Sequence, residues 1–294
     1  MTGQDVTIVI PVYNRAKVVE RTLQSVEAQT FRPLRIILVD NGSTDGSLDI
    51  LRRWKSEAET PTFRIDIIEE PEKGAAAARN TGLAAVESEW TMFFDCDNAM
   101  RPDHVASAME TAASDTSVGL VGWDIMEHGF KGEKRVRHFA ADNMLYNCII
   151  HGTFSTLRYF ARTELFRRAG GWNTSMKIWG DIELGVRMLG LSPKAAYRHG
   201  KAKVDIYPGD ESLAGPVYSS RGAELEKAVD KIEMFLPDNM RYIAGMKRAI
   251  VAARYHREGL IDPVPLLTQA LHATPKLRHR LLLRITYILN SLLP

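Results

Sequence analysis

The sequence predicts an α/β protein, a mainly parallel sheet with flanking helices, followed by an α-helical appendage. Two observations carry that expectation. Through the first hundred residues, short β-branched runs alternate with segments of helical periodicity, the pattern of successive βαβ units whose strands are buried on both faces. From about Ser219 onward the apolar period is helical, broken at Pro237, Gly259, Pro263 and Pro275. The expected division is residues 1–215 for the α/β domain, in halves of about 1–100 and 101–215, and 216–294 for the helical region.

Val6–Val12 is the first strand, a β-branched run with Pro11 near its end, and Val18, Val19, Leu23 and Val26 then recur at helical spacing. Residues 35–39 repeat the strand pattern, end in the turn "DNGSTDGS" and give way to the helical "LDILRRWKSEA". Residues 64–68 form the third strand, "GAAAARNTGLAAVES" an alanine-rich helix with a small-residue face, and 91–94 the fourth strand. After Pro102, "DHVASAMETAASD" reads as a helix and 118–121 as a strand. The polar stretch "EHGFKGEKRVRHFAADN" reads as an irregular loop. A short element near 158–162, a helix at "TELFRRAG", a turn at "GGWN" and a helix at "DIELGVRMLG" follow.

Composition narrows the classes. At 294 residues and 45% hydrophobic content the chain can bury a sizeable core, and 38 basic against 36 acidic residues, a net +2, argue against a dedicated nucleic-acid binder. Two cysteines, Cys96 and Cys148, lack metal-ligand spacing, so a reduced, cytoplasmic protein is expected. No leader pattern opens the sequence and no run reaches the ~18 apolar residues of a membrane span.

The chemistry concentrates where the fourth strand ends, in Asp95 and Asp97. Carboxylates two apart on extended chain face the same way and repel unless a cation lies between them. They would stand at the carboxyl edge of the sheet, where open α/β folds bind ligands. Hard oxygen donors suit Mn²⁺ or Mg²⁺; the other reading is that Asp97 or Asn98 caps the helix after Pro102.

"VTIVIPVYNR", "VDNGSTDGS", "GAAAARNTGL" and "FFDCDN" occur in this order, and "GGWN" with "WGDIELGVR" follows. Together they resemble the GT-A domain of family 2 glycosyltransferases, over roughly residues 5–215. The resemblance implies a GT-A nucleotide-diphospho-sugar transferase fold with a donor half and an acceptor half. It also implies an inverting, metal-dependent transfer from a nucleotide-diphosphate sugar, UDP first, to a saccharide or lipid-linked acceptor, in polysaccharide or glycoconjugate synthesis.

Such a donor offers a base to stack, a ribose to hydrogen-bond and a diphosphate to neutralise. Pro11, Tyr13 and Arg15 follow the first strand, with Tyr13 facing the base or simply packing, and Arg15 approaching a phosphate. The resemblance assigns Asp40 to the nucleobase; turn initiation is its other reading. Lys73 and Gly74 precede the alanine-rich helix, whose N-terminus favours phosphate. Family precedent sets Arg79 near the diphosphate, against a solvated helix face. Asp95 and Asp97 match the D-x-D signature, Asp97 as the direct metal ligand and Asp95 meeting ribose or the metal through water. Asn98 replaces a further aspartate of many relatives. The family's base is the aspartate of a Glu-Asp pair; here the pair is Gly180-Asp181, which leaves Asp181 as the base or as an N-cap. Glu183 is the rival base, and Arg187 either matches the family's arginine or pairs with Glu183 at i+4. The family's metal-site histidine is absent; Asp210 could substitute or be an ordinary loop aspartate. His151 reads as a core or acceptor-site histidine.

The terminal "PKLRHRLLLRITYILNSLLP" makes a basic amphipathic helix. Its destinations are peripheral contact with the inner membrane face, packing on the parent domain, or a homodimer through the C-terminal helices. Two rival functions stand beside transfer: a nucleotidyltransferase, which would want a glycine-rich loop that "PVYNRAKVV" lacks, and a non-catalytic nucleotide-sugar binding or scaffold protein.

Overall fold

The computed structural model describes residues 6–208 and 218–292, and the chain divides into two compact units. The first comprises Met1–Ala141, Phe154–Thr174 and Leu191–Asp210; the second comprises Asp142–Thr153, Ser175–Gly190 and Glu211–Pro294. In chain order the elements begin β1 (Val6–Val12), α1 (Val19–Glu27), β2 (Leu34–Asp40), α2 (Ser47–Ala58), β3 (Phe63–Glu69), α3 (Ala75–Ala84), β4 (Trp90–Phe93) and β5 (Ala99–Met100). They continue with α4 (His104–Ala113), β6 (Val118–Gly122), β7 (Ile125–His128), β8 (Lys134–Arg137), α5 (Met144–His151), β9 (Tyr159–Arg162), α6 (Thr163–Arg168), α7 (Gly180–Gly190), β10 (Lys194–Tyr197) and β11 (Val204–Ile206). Four helices close the chain: α8 (Gly222–Glu233), α9 (Tyr242–Glu258), α10 (Val264–His272) and α11 (Leu277–Leu292).

The first unit is built on a seven-stranded sheet in the order β10-β6-β9-β4-β1-β2-β3. All its pairings are parallel except those of β9, which runs antiparallel to β4 and β6. The central strands show no apolar alternation because helices cover both faces: Ile8, Val9, Ile10, Ile36, Ile37 and Leu38 are all fully buried. The small-residue face of α3 has a packing cause. A Cβ at Gly82 would lie 2.3 Å from Val9 Cγ1 and 3.2 Å from Val39 Cγ2, so only glycine lets the helix approach β1 and β2 this closely.

A second sheet, β5-β11-β7-β8, corrects one expectation. The stretch expected to be an irregular loop holds the end of β7, the turn and all of β8, an antiparallel hairpin with Ile125 opposite Arg137 and His128 opposite Lys134. Its outer strand reads KRVR, largely exposed, and charged edge strands of this kind hide the period-2 signal while discouraging edge-to-edge pairing. The helix α5, which directly follows that stretch, also gave no sign in the sequence.

The second unit centres on α9, along which Ile243, Ala244, Ala249, Val251, Ala252 and Tyr255 are buried. Helices α5, α8, α10 and α11 pack against it, and α7 packs against α5 and α8. Gly259 ends α9 at φ 65°, its N–H returning to the Tyr255 carbonyl at 2.9 Å, the left-handed stop that glycine provides. Among the described residues no helix is long and apolar enough to cross a membrane.

Candidate active site

Three of the motifs leave the carboxyl ends of neighbouring parallel strands, β4, β1 and β2. The pairing runs to the edge, since Asn41 N–H still reaches the Val12 carbonyl (2.8 Å) and Phe94 N–H the Val9 carbonyl (3.0 Å). Asp40 is 2% exposed. Its Oδ2 accepts from Gly42 N–H (3.1 Å) and Ser43 N–H (3.0 Å), so it does initiate the turn. Its Oδ1, equally buried, has no hydrogen-bond partner among the described residues.

The loops around Asp40 are tied together. The Asn41 amide donates to the Glu70 (2.9 Å) and Glu72 (2.7 Å) carbonyls and accepts from Gly74 N–H (2.7 Å). Lys73 Nζ donates to the carbonyls of Asn41 (3.1 Å) and Gly42 (2.9 Å) and stands 4.7 Å from the Tyr13 ring centroid. Tyr13 itself is half exposed rather than packed in the core. Asn14 accepts from Thr44 N–H (2.8 Å), and Arg15 N–H donates to Ser47 Oγ (2.8 Å), so the loop after β1 rests on the loop after β2, while Pro11 stays within the β1–β2 pairing.

At the end of β4, Cys96 joins the core while Asp95 and Asp97 on either side of it are only partly buried. Arg79 pairs with Asp95 at 2.8 Å and lies 4.6 Å over the Trp172 ring; its side chain is 15% exposed, so it is no solvated helix residue. Trp172 is held by Asn80, which accepts its N–H (2.7 Å) and donates to its carbonyl (2.8 Å). Burial pushes the Asp97 carboxyl above its usual range, Asp95 adds to this, and Arg15 and Arg21 oppose it. Asn98 donates to Asp97 Oδ1 (2.7 Å) and accepts from Tyr207 N–H (3.0 Å), while the Arg21 guanidinium donates to the Asp97 carbonyl and covers the Tyr207 ring at 3.8 Å. Neither Asp97 nor Asn98 caps α4, whose N-cap position is Asp103. The donor set is two carboxylates on one turn, oxygen-only, which suits a hard divalent ion completed by water and phosphate. Among the described residues no group of three or more His, Cys, Asp and Glu assembles a cage.

The second unit holds Asp181, Glu183 and Arg187 on α7. Asp181 lies in the helix's first turn, and its Oδ1 accepts from Ile182 N–H at 2.9 Å. Glu183 is 1% exposed and clamped by Arg187, Nε to Oε1 at 3.0 Å and one Nη to Oε2 at 2.5 Å. That is the i+4 ion pair, and it leaves Glu183 a poor partner for an incoming hydroxyl. Lys247 of α9 stands close by, 7% exposed, with Nζ 4.3 Å from the Trp179 ring centroid. Burial lowers its pKa to about 8 against the opposing influence of Cys148 and Asp181. The Cys148 thiol, pushed up by burial, donates to the Ile182 carbonyl (3.5 Å).

Asp210 lies outside the described residues. His151 is exposed at the end of α5, so it is not a core histidine. Asn41, Arg21, Tyr207 and Lys247 escaped the sequence reading. Asn41 sits within a quoted motif, but its three bonds reach residues about thirty positions away, and Lys247 is one cation in an otherwise apolar helical run.

The glycosyl transferase family 2 model matches residues 7–178. The glycosyltransferase AglE of Haloferax volcanii is 26% identical over 199 residues, which are 66% of this chain and 64% of that protein. The pre-mycofactocin glycosyltransferase of Mycobacterium tuberculosis is 30% identical over 210 residues, 66% of this chain and 41% of that protein. The chain thus spans less than two thirds of either relative. Among solved structures, Staphylococcus aureus TarS 1–349 superposes with a TM-score of 0.71 at 16% identity, covering 98% of this chain and 89% of that one. The same fragment in complex with UDP-GlcNAc gives 0.68. At this identity the likeness is one of fold, and the fold is GT-A. With strand-end motifs in family order and a family match over more than half its length, the chain belongs to glycosyl transferase family 2.

Proposed function

We propose that the protein is an inverting glycosyltransferase that moves a sugar from a nucleoside-diphosphate donor to an acceptor hydroxyl of a saccharide or lipid-linked molecule. The observation that carries the reading is Asp40 Oδ1, a buried carboxylate oxygen without a donor at the ligand-binding edge of the sheet. A carboxylate only accepts, so it is satisfied by a base with an imino N–H on its Watson–Crick edge. Uracil and guanine have one; adenine and cytosine present a ring nitrogen acceptor there and donate only through the exocyclic amino group. Uridine donors are therefore the first to test and guanosine donors the second. Tyr13 offers an exposed ring for the base. Arg15, Lys73, Arg79 and the N-terminus of α3 at Gly74 supply positive charge for the diphosphate.

A divalent cation, Mn²⁺ or Mg²⁺, held by Asp97 and by Asp95 directly or through water, would stabilise the charge that grows on the departing nucleotide. On the acceptor side, Asp181 takes the hydroxyl proton as the new oxygen–carbon bond forms and the anomeric carbon–phosphate oxygen bond breaks. One displacement inverts the anomeric centre, and the nucleoside diphosphate leaves with the bonding electrons. Asp181 is preferred to Glu183 because both Glu183 oxygens are engaged by Arg187.

The test is a panel of UDP-, GDP-, CDP- and ADP-sugars scored by thermal unfolding with and without Mn²⁺, followed by product analysis. A true donor at a hundredfold its Kd stabilises by about 2.7 kcal/mol. Stabilisation by no nucleotide sugar would end the reading, and stabilisation without transfer to any hydroxyl would leave a binding protein.

A further inference from the structure

The C-terminal helix α11 carries two unlike faces. Its inner face is Leu283, fully buried against α9, with Thr286. The contact is close: a Cβ at Gly245 of α9 would meet Leu283 Cδ2 at 3.0 Å. At 3.6 residues per turn, Leu277, Leu281, Ile285, Ile288, Leu289 and Leu292 fall on the opposite side, within an arc of roughly 120°. All six are exposed, between 43% and 82%. A surface helix of an ordinary globular domain buries its one apolar stripe; this helix buries one residue row and turns a second, wider stripe outward.

The charges around the stripe select its occupant. Arg280 and Arg284 flank the stripe, Arg278 stands within its arc in the first turn and Lys276 directly precedes the helix, and no aspartate or glutamate occurs after Asp262. Among the described residues none of these four cations has an ion-pair partner; Arg280 uses its Nε on the Thr274 carbonyl (2.7 Å). Two copies of this face brought together would set like charges against each other with no acid to relieve them. An anionic lipid surface neutralises the cations and takes up the aliphatic side chains at once. The helix has 16 residues, about 24 Å, and none of the described helices qualifies as a span, so the geometry is that of a helix lying in the interface plane.

We infer that α11 docks the protein on an anionic bilayer, with the Leu277–Leu292 stripe in the acyl boundary and the arginines at the headgroups. This stands apart from the transfer reading, since it rests on no active-site residue. The experiment is sedimentation of the full chain with vesicles of phosphatidylcholine alone or with 30 mol% phosphatidylglycerol, at low and high salt. Binding to the anionic vesicles, weakened by salt and at least tenfold weaker to neutral ones, is expected. The Leu281→Ser/Ile288→Ser double variant should lose at least tenfold in partitioning, and Arg278→Gln and Arg284→Gln about fivefold each. These positions are exposed, so unchanged circular dichroism confirms that the variants remain folded. A chain that stays in the supernatant with anionic vesicles overturns the inference, as does undiminished binding by the double variant. A lipid-free dimer that the double variant converts to monomer also overturns it, and makes the stripe a seam between two copies.

Discussion

Lys247→Met tests the electrostatics around Asp181 through stability and activity together. Lys247 is 7% exposed, and burial lowers its pKa from 10.5 to about 8. At about 1.4 kcal/mol per pH unit, that displacement corresponds to roughly 3 kcal/mol of destabilisation while the lysine is charged in both states, below about pH 8. Between pH 8 and 10.5 the unfolded chain binds the proton and the folded one does not, so stability rises with pH through that window. Methionine keeps the length and apolar stem without the charge. The variant should therefore be more stable than wild type by about 2–3 kcal/mol at pH 7, with the difference falling to about half near pH 9.5. The same substitution removes a cation that favours ionised Asp181, so the acidic limb of kcat/KM should move to higher pH, with lower turnover at neutral pH. Urea unfolding at the two pH values and a pH–rate profile read both effects. A variant destabilised by more than about 1 kcal/mol at pH 7, or an unchanged difference at pH 9.5, would refute the reasoning that the lysine is held charged against burial.

Three further substitutions probe the site. Asp181→Asn keeps the oxygen that accepts from Ile182 N–H but cannot take a proton, so turnover should fall by about 10² or more with folding and donor affinity nearly unchanged; full transfer by this variant would remove Asp181 as base. Asp97→Asn removes one charged oxygen from the carboxylate pair and should weaken Mn²⁺-dependent donor binding, read by calorimetry across a metal titration; equal affinity in both proteins counts against a metal there. Gly171→Ala places a Cβ 2.7 Å from Asn80 Oδ1 at φ 66° and should destabilise by about 1–3 kcal/mol on chemical denaturation, loosening the Trp172 contact beside Arg79; a neutral result would show that this turn relaxes freely.

Local chemistry made much of the fold legible. Consecutive strands and helices announce themselves by period, so β1 through β4 and the breaks at Pro237, Gly259, Pro263 and Pro275 could be read from neighbours a few residues apart. Motif order was enough to identify the family. Pairing partners far apart in sequence left no such trace. The hairpin β7–β8 looked like a loop because its outer strand is charged, and β9 gave no sign that it would run antiparallel between β4 and β6.

For the candidate site, residue types pointed to carboxylates and cations, but the partner of each is a property of the folded chain. Sequence left Arg79 between a diphosphate and solvent; tertiary structure pairs it with Asp95 and sets it over Trp172. Sequence left Asp40 between turn and ligand; the structure gives one oxygen to the turn and leaves the other buried without a donor. Glu183 and Arg187 satisfied the i+4 rule in either reading, and burial of the glutamate decided for the ion pair. Period and propensity are short-range and survive in a string of letters, whereas burial, pairing and an unmet hydrogen bond depend on which distant segments exclude water from the same place.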